Sequence, residues 1–214
     1  MKNSLAIAPL ATFIAAIIGL TACNNNDTKT GKTNTDTAKT NLTAKPTEKI
    51  PTEKPGIINI VDTITTKSIV IYMKDSAISF ERISLKLGTI YGIKLGEILK
   101  KNGLKMTGAP MAWYKSQKAP YFFEAGVPVN KKPTKLPAGV FVKEINADSA
   151  VIAHFYGPYN LLSQGYEAIK EWMKEEKKMA NGAPYEIYIG DPMDKDGKML
   201  DAYKVRTDIV FPRK

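Results

Sequence analysis

In the segment Tyr185-Glu186-Ile187-Tyr188 a carboxylate sits among tyrosines at the spacing of a β-strand. Residues two apart on a strand share a face, so Glu186 and Tyr188 point one way, and Tyr185, Ile187 and Ile189 the other, expected to be the helix-facing core. A carboxylate among aromatic rings suits an organic cation, because the rings offer apolar area and negative π-faces while the carboxylate offers charge. Desolvation would raise its pKa, and the same group would then serve as a general acid or base toward water. The pattern by itself is also satisfied by a solvent-facing strand residue paired with a cross-strand lysine.

Other chemistry-bearing residues are few. One cysteine and one histidine exclude an intrachain disulfide and a Cys/His zinc cluster within this chain. No serine occupies a nucleophile-elbow context, so His154 lacks an activated partner and is expected to open the turn into a helix by hydrogen bonding. Asp191, Asp194 and Asp196 resemble a calcium loop without its closing glutamate and are read as a hairpin turn. No metal and no cofactor is expected.

Cys23 has its own context. Residues 1–22 hold a short basic start and an apolar run from Leu5 to Leu20, ending in Leu20-Thr21-Ala22-Cys23. This resembles a bacterial lipoprotein signal, in which the cysteine is lipidated and becomes the new N-terminus. Lipidation of Cys23 would give a membrane anchor and an extracytoplasmic, cell-envelope location. An ordinary transmembrane anchor is the other reading, for which 16 apolar residues are short. Residues 23–55 are Thr-, Lys-, Asn- and Pro-rich and read as a disordered tether spanning roughly 30 Å. Residues 56–214 are left to fold as one domain.

That domain carries 24 basic against 17 acidic residues, about +7 of the chain's +10. The lysines are scattered, and the densest cluster, Lys174 to Lys178, includes Glu175 and Glu176. It reads as a solvated helix face, and no nucleic-acid partner is expected.

The elements that must position Glu186 come twice. Gly108-Ala109-Pro110-Met111-Ala112-Trp113-Tyr114 aligns with Gly182-Ala183-Pro184-Tyr185-Glu186-Ile187-Tyr188 at an offset of 74. Helical spacing precedes each copy: Tyr91, Leu95, Ile98, Leu99 in the first, and Leu162, Tyr166, Ile169, Met173 in the second. A proline-closed apolar run follows each, Phe123 to Pro128 and Thr207 to Pro212, the second after a hairpin about ten residues longer. Strand-like segments open the halves: Lys67 to Tyr72 with Ala77 to Leu85, and Gly139 to Ile145 with Ala150 to Tyr156. The expectation is an α+β domain of duplicated βαββ units with pseudo-twofold symmetry and a central cleft, joined through Lys131-Lys132-Pro133. The repeat makes Ala112 and Tyr114 counterparts of Glu186 and Tyr188, and Glu124 the counterpart of Asp208. Tyr156 is a further candidate, and Trp113, in phase with Ile187, is expected in the core. Tyr91, Tyr159 and Trp172 suit either core or site. Gly88, Gly92 and Gly96 are expected to let the first helix lie close to its sheet.

Leu136-Pro137-Ala138-Gly139, His154-Phe155-Tyr156-Gly157-Pro158-Tyr159, Glu171-Trp172, Pro184 to Tyr188 and Thr207 to Pro212 together resemble the GyrI-like small-molecule-binding family, the effector-binding domain of multidrug-responsive transcription activators, related to SOUL-type haem-binding proteins. The resemblance covers about residues 60–214. It implies an aromatic groove between the two units, with a glutamate that neutralises lipophilic cations, carried here by Glu186. It also raises haem ligation by His154, a minor alternative. Relatives often carry a helix-turn-helix segment in front, where this chain has a lipobox and tether, so transcriptional control is not expected. Some stand-alone relatives are hydrolases that open strained cyclopropane-bearing compounds.

Three readings follow. The leading one is a lipid-anchored domain that binds amphipathic, cationic or aromatic small molecules through Glu186, Tyr188, Tyr114, Tyr156, Asp208 and Glu124. The second is a hydrolase acting on strained electrophiles through Glu186. The third is a non-catalytic interaction module of the envelope.

Overall fold

The computed structural model describes residues 54–116 and 118–214. Cys23, the residues read as a signal segment and nearly all of those read as a tether lie outside them. Strands β1 (Ile57–Ile64) and β2 (Ser68–Ala77) lead into α1 (Phe80–Thr89), a π-helical segment (Ile90–Leu95) and α2 (Gly96–Asn102), followed by β3 (Met111–Tyr114) and β4 (Tyr121–Val129). The second half repeats the order: β5 (Val140–Ile145), β6 (Ser149–Tyr156), a 3-10 turn (Tyr159–Leu161), α3 (Leu162–Glu175), β7 (Tyr185–Tyr188) and β8 (Arg206–Pro212).

The doubled strand-strand-helix-strand-strand pattern is present, with two shifts in the first half. Phe80 to Leu85 is helix and not strand, because Ser79 caps it: its side chain accepts from the Arg82 N–H, and Ile83 turns into the core. The missing strand is β1, whose Ile57-Ile58-Asn59-Ile60-Val61 run alternates poorly because it lies at a sheet edge, half-exposed. At the far end of the same helical stretch, Gly103 adopts the left-handed conformation (φ 57°) and the Leu104 N–H bonds back to Leu99 O, which stops α2.

Among the described residues all eight strands join one antiparallel sheet in the order β1-β6-β8-β7-β3-β4-β2-β5. The order reads the same from both ends when halves are exchanged, so the pseudo-twofold passes between β7 and β3. The first strand of each half has crossed over: β1 pairs with β6 of the second half, and β5 with β2 of the first.

That exchange forces the sheet to curl. Residues 65–67 join β1 to β2, and residues 146–148 join β5 to β6. Either pair lies six strand spacings apart, roughly 29 Å if the sheet were flat, whereas four peptide steps reach at most about 14 Å. The two links meet, with the Thr65 N–H bonded to Asp148 O at 2.9 Å. Inside the curl Val70, Met111, Trp113, Ala150, Tyr185 and Val210 pack together. Gly126 makes room there: a Cβ would stand 2.7 Å from Ile71 O.

On the outer face each helix covers its own core. Ile83, Ile90, Leu95 and Ile98 pack on Ile71, Phe123, Ala125 and Val127. Tyr166, Ile169 and Met173 of α3 pack on Val151, Ala153, Phe155 and Ile209. At α3 the helix comes close to its sheet, where a Cβ on Gly165 would meet Ile209 Cδ1 at 2.5 Å; at Gly96 the nearest atom is Tyr91 O of its own helical stretch, at 3.9 Å.

Candidate functional site

Faces on β7 and β8 decide which residues can meet. Glu186 opposes Ala112 on β3 and Ile209 on β8, and all three point to the helix-bearing face. Tyr185 and Ile187 point inward with Trp113, so the helix-facing set is the reverse of the one the apolar pattern indicates. The pattern misled because both faces of this strand are buried, one by helices and one by the curl.

Glu186 lies on the helix-bearing face of the sheet, against Tyr166 of α3, and it is 5% exposed. The Tyr166 hydroxyl, from α3, donates to Oε1 at 3.0 Å, and that of Tyr188 donates to Oε2 at 2.8 Å. The Tyr114 and Tyr188 hydroxyls lie 3.0 Å apart across the pseudo-twofold; with the Tyr188 proton committed to Glu186, Tyr114 is the donor. Tyr91, carried by the π segment, sets its ring tilted against that of Tyr188 at 6.2 Å and donates to Met111 O at 2.7 Å. The Tyr159 ring packs edge-on to Tyr188 at 6.2 Å. Both halves therefore supply tyrosines around one carboxylate.

Among the described residues three carboxylates are buried: Glu124, Glu186 and Asp208. Lys143 and Lys115 pair with Glu124 at 2.5 and 3.1 Å. Arg206 and His154 hold Asp208 at 2.6 and 2.7 Å. Glu186 has no ion pair among the described residues, only phenols. Burial raises its pKa to about 7, the hydrogen bonds from Tyr188 and Tyr166 holding it from rising further. Burial above all pushes Tyr91, Tyr114, Tyr159, Tyr166 and Tyr188 above the ordinary tyrosine value, with Glu186 the next cause for each except Tyr91, where Tyr114 comes first, so these phenols stay protonated donors. For Glu124 burial acts upward, but the two lysines outweigh it and leave the group below the ordinary value.

The candidate residues thus divide by face. Glu186, Tyr188 and Tyr114 come together. Glu124 and Asp208 are symmetry counterparts, opposing Trp113 and Ile187 respectively, but they project to the other face and cannot reach Glu186. Tyr156 goes with them, standing opposite Arg206. The physical reason is strand parity: each is an odd number of positions out of phase with the neighbours of Glu186. His154 is corrected too, since it lies within β6 and bonds Asp208 on β8, not a turn into the helix. Asp191 and Asp194 accept backbone N–H groups of their own loop, as in an ordinary turn. Trp113 is core, 8% exposed, with Lys143 Nζ 3.9 Å from its ring centroid.

Tyr166 was missed as a site residue. Its place on the inward stripe of α3 marks it as core; a buried phenol needs a partner for its hydroxyl, which signals some polar neighbour but not which one.

Glu186 is closed in by Tyr166 and Tyr188, with Tyr91 and Tyr159 packed against Tyr188. Beside it, a cavity of about 190 Å³ is walled by Gly157, Pro158, Tyr159, Met199, Leu200 and Val205. Tyr159 is shared, lining the cavity and touching Tyr188. The residues that lengthen the second hairpin supply the opposite wall.

A model of the GyrI-like small-molecule-binding domain matches residues 94–213, more than half the chain. The chain belongs to the GyrI-like family. It is a small-molecule-binding domain on an α+β fold of that type. Among solved structures, the C-terminal domain of EcmrR is 22% identical, with a TM-score of 0.60, covering 74% of this chain and 98% of that one. The EcmrR–DNA complex gives 20% identity and a TM-score of 0.62 over 73% of this chain, which spans 57% of that longer protein. A hydrolase from Listeria innocua is 10% identical, with a TM-score of 0.50, covering 72% of this chain and 91% of that one. No curated protein sequence matches this chain.

Proposed function

We propose that this domain captures lipophilic, aromatic organic cations over Glu186. The observation that carries the reading is a buried carboxylate that lacks a cationic partner among the described residues, while the other two buried carboxylates have theirs. A bound cation takes the place those lysines and arginine occupy elsewhere, and the tyrosine rings give it apolar contact and π-faces. Entry runs through the 190 Å³ cavity: Tyr159 swings off Tyr188, joining the cavity to the space above the carboxylate. Polarisation of rhodamine 6G reads the affinity directly. Replacing Glu186→Gln is expected to weaken binding at least tenfold at pH 8; equal affinity in both proteins refutes charge neutralisation.

The site is proposed to work outside the cytoplasm, held to a membrane through Cys23. Support comes from the lipobox-like residues alone. Labelling with palmitate in cells should mark the chain and fail in Cys23→Ala.

A hydrolase reading is favoured by one observation, an acid with a pKa of about 7 between two phenols, suited to proton transfer near neutrality. Turnover of strained cyclopropane-bearing compounds, followed by mass spectrometry, tests it; product no faster than with Glu186→Ala removes it.

A further inference from the structure

A second cavity, of about 510 Å³, lies in the first half on the far side of the helical stretch from Glu186. Its volume falls in the range of about 300–1,000 Å³ typical of ligand pockets. The floor is apolar, built from Met73 on β2, Ile98 on α2, Leu136 and Pro137 in the segment before β5, and Val140 at its start. Lys94, Lys101 and Lys135 also line it, against the single carboxylate of Glu97. That carboxylate already faces Lys101 at 3.9 Å, and neither Lys94 nor Lys135 forms an ion pair among the described residues. The site over Glu186 offers one buried negative charge among rings; this cavity offers an aliphatic floor beneath surplus positive charge. The π segment serves both, presenting Tyr91 to the first and Lys94 to the second.

We propose that this cavity binds a single-chain anionic amphiphile, its carboxylate or phosphate head held by Lys94 and Lys135 and its alkyl chain laid on Met73, Ile98, Leu136 and Val140. Long lysine side chains suit the task, since their methylenes extend the apolar wall while the ammonium groups stay at the mouth. The inference is independent of Glu186 and of the cation reading. The cavity of the second half, at Tyr159, is no counterpart of this one: other elements wall it, and no lysine lines it.

Titration calorimetry with decanoate below its micelle concentration tests the site, with decyl phosphate and decylamine as parallel ligands. Saturable binding of the two anions is expected, with decylamine at least tenfold weaker, and amide shifts centred on Ile98, Leu136 and Val140. The double variant Lys94→Glu, Lys135→Glu should lose tenfold or more in decanoate affinity while keeping its unfolding midpoint and its rhodamine 6G affinity. Glu186→Gln should bind decanoate as the parent does. Unchanged decanoate affinity in the charge-reversed protein overturns the proposal, as does equal binding of decylamine. Binding to phosphatidylglycerol vesicles with none to monomeric decanoate also overturns it, since that identifies a membrane surface and not a single bound amphiphile.

Discussion

At Glu186 the folded chain holds a proton that a freely solvated glutamate would release near pH 4.5, because burial raises its pKa to about 7. The sign of the linkage follows: the contribution to stability is complete below pH 4.5 and is lost as pH rises through 7. Two and a half units correspond to at most about 3 kcal/mol. Glu186→Gln is therefore expected to be more stable than the parent by up to that amount at pH 8 and indistinguishable at pH 4, measured by urea unfolding at both. Binding runs the other way. A cation needs the ionised carboxylate, so affinity for rhodamine 6G should rise about tenfold per pH unit up to 7 and then level off; a flat profile from pH 5 to 8 contradicts a titrating carboxylate at the site. Tyr188 and Tyr114 were legible from the repeat, one residue naming the other. Tyr166 and the pairing of Glu124 and Asp208 with cations were not, because a hydrogen-bond partner belongs to another element and leaves no mark on local spacing.

Local elements followed local rules wherever one face was buried and the other wet. The stripe of Leu162, Tyr166, Ile169 and Met173 gave α3 its facing, and the X-Pro closures marked the ends of β4 and β8. Ala77 to Leu85 misread as strand because Ile78, Phe80 and Leu85 are apolar but exposed, and their apparent alternation buries nothing. Gly126 is the element-scale feature that permits the close approach of β2 to β4. With Ile71 O 2.7 Å from the site of a new Cβ, backbone must move, and Gly126→Ala is expected to cost about 1–3 kcal/mol; thermal unfolding measures it, and an unchanged midpoint would show the sheet bends without that close approach. The hairpin between β7 and β8 is expected to matter to binding and little to folding. Trimming residues 193–200 to a short turn removes Met199 and Leu200 from the cavity wall, so rhodamine 6G affinity should fall several-fold with the circular dichroism spectrum retained.

For the whole molecule, the exchange of first strands ties the halves together. Because β1 pads the second-half core through Ile58 and Ile60, removing residues 57–64 should deprotect β6 amides in hydrogen exchange while β4, between β2 and β3, stays protected; loss confined to β2 would contradict the exchange. Neither half closes its own sheet, and separately expressed 56–133 and 134–214 are expected to gain sheet structure by circular dichroism only when mixed. The amino-acid sequence by itself determined the doubled βαββ plan, which rests on periodicity and on a repeat 74 residues apart, while Glu186 stood out only with the likeness to the GyrI-like family, since its strand pattern also suits a solvent-facing residue. The tertiary structure alone decided which half each first strand joins, that the sheet curls until both faces of β7 are buried, and that Glu186, among the described residues, lacks the cation its buried fellows have. Those outcomes depend on chain closure and desolvation, which act between segments far apart in the sequence and so leave no local pattern to read.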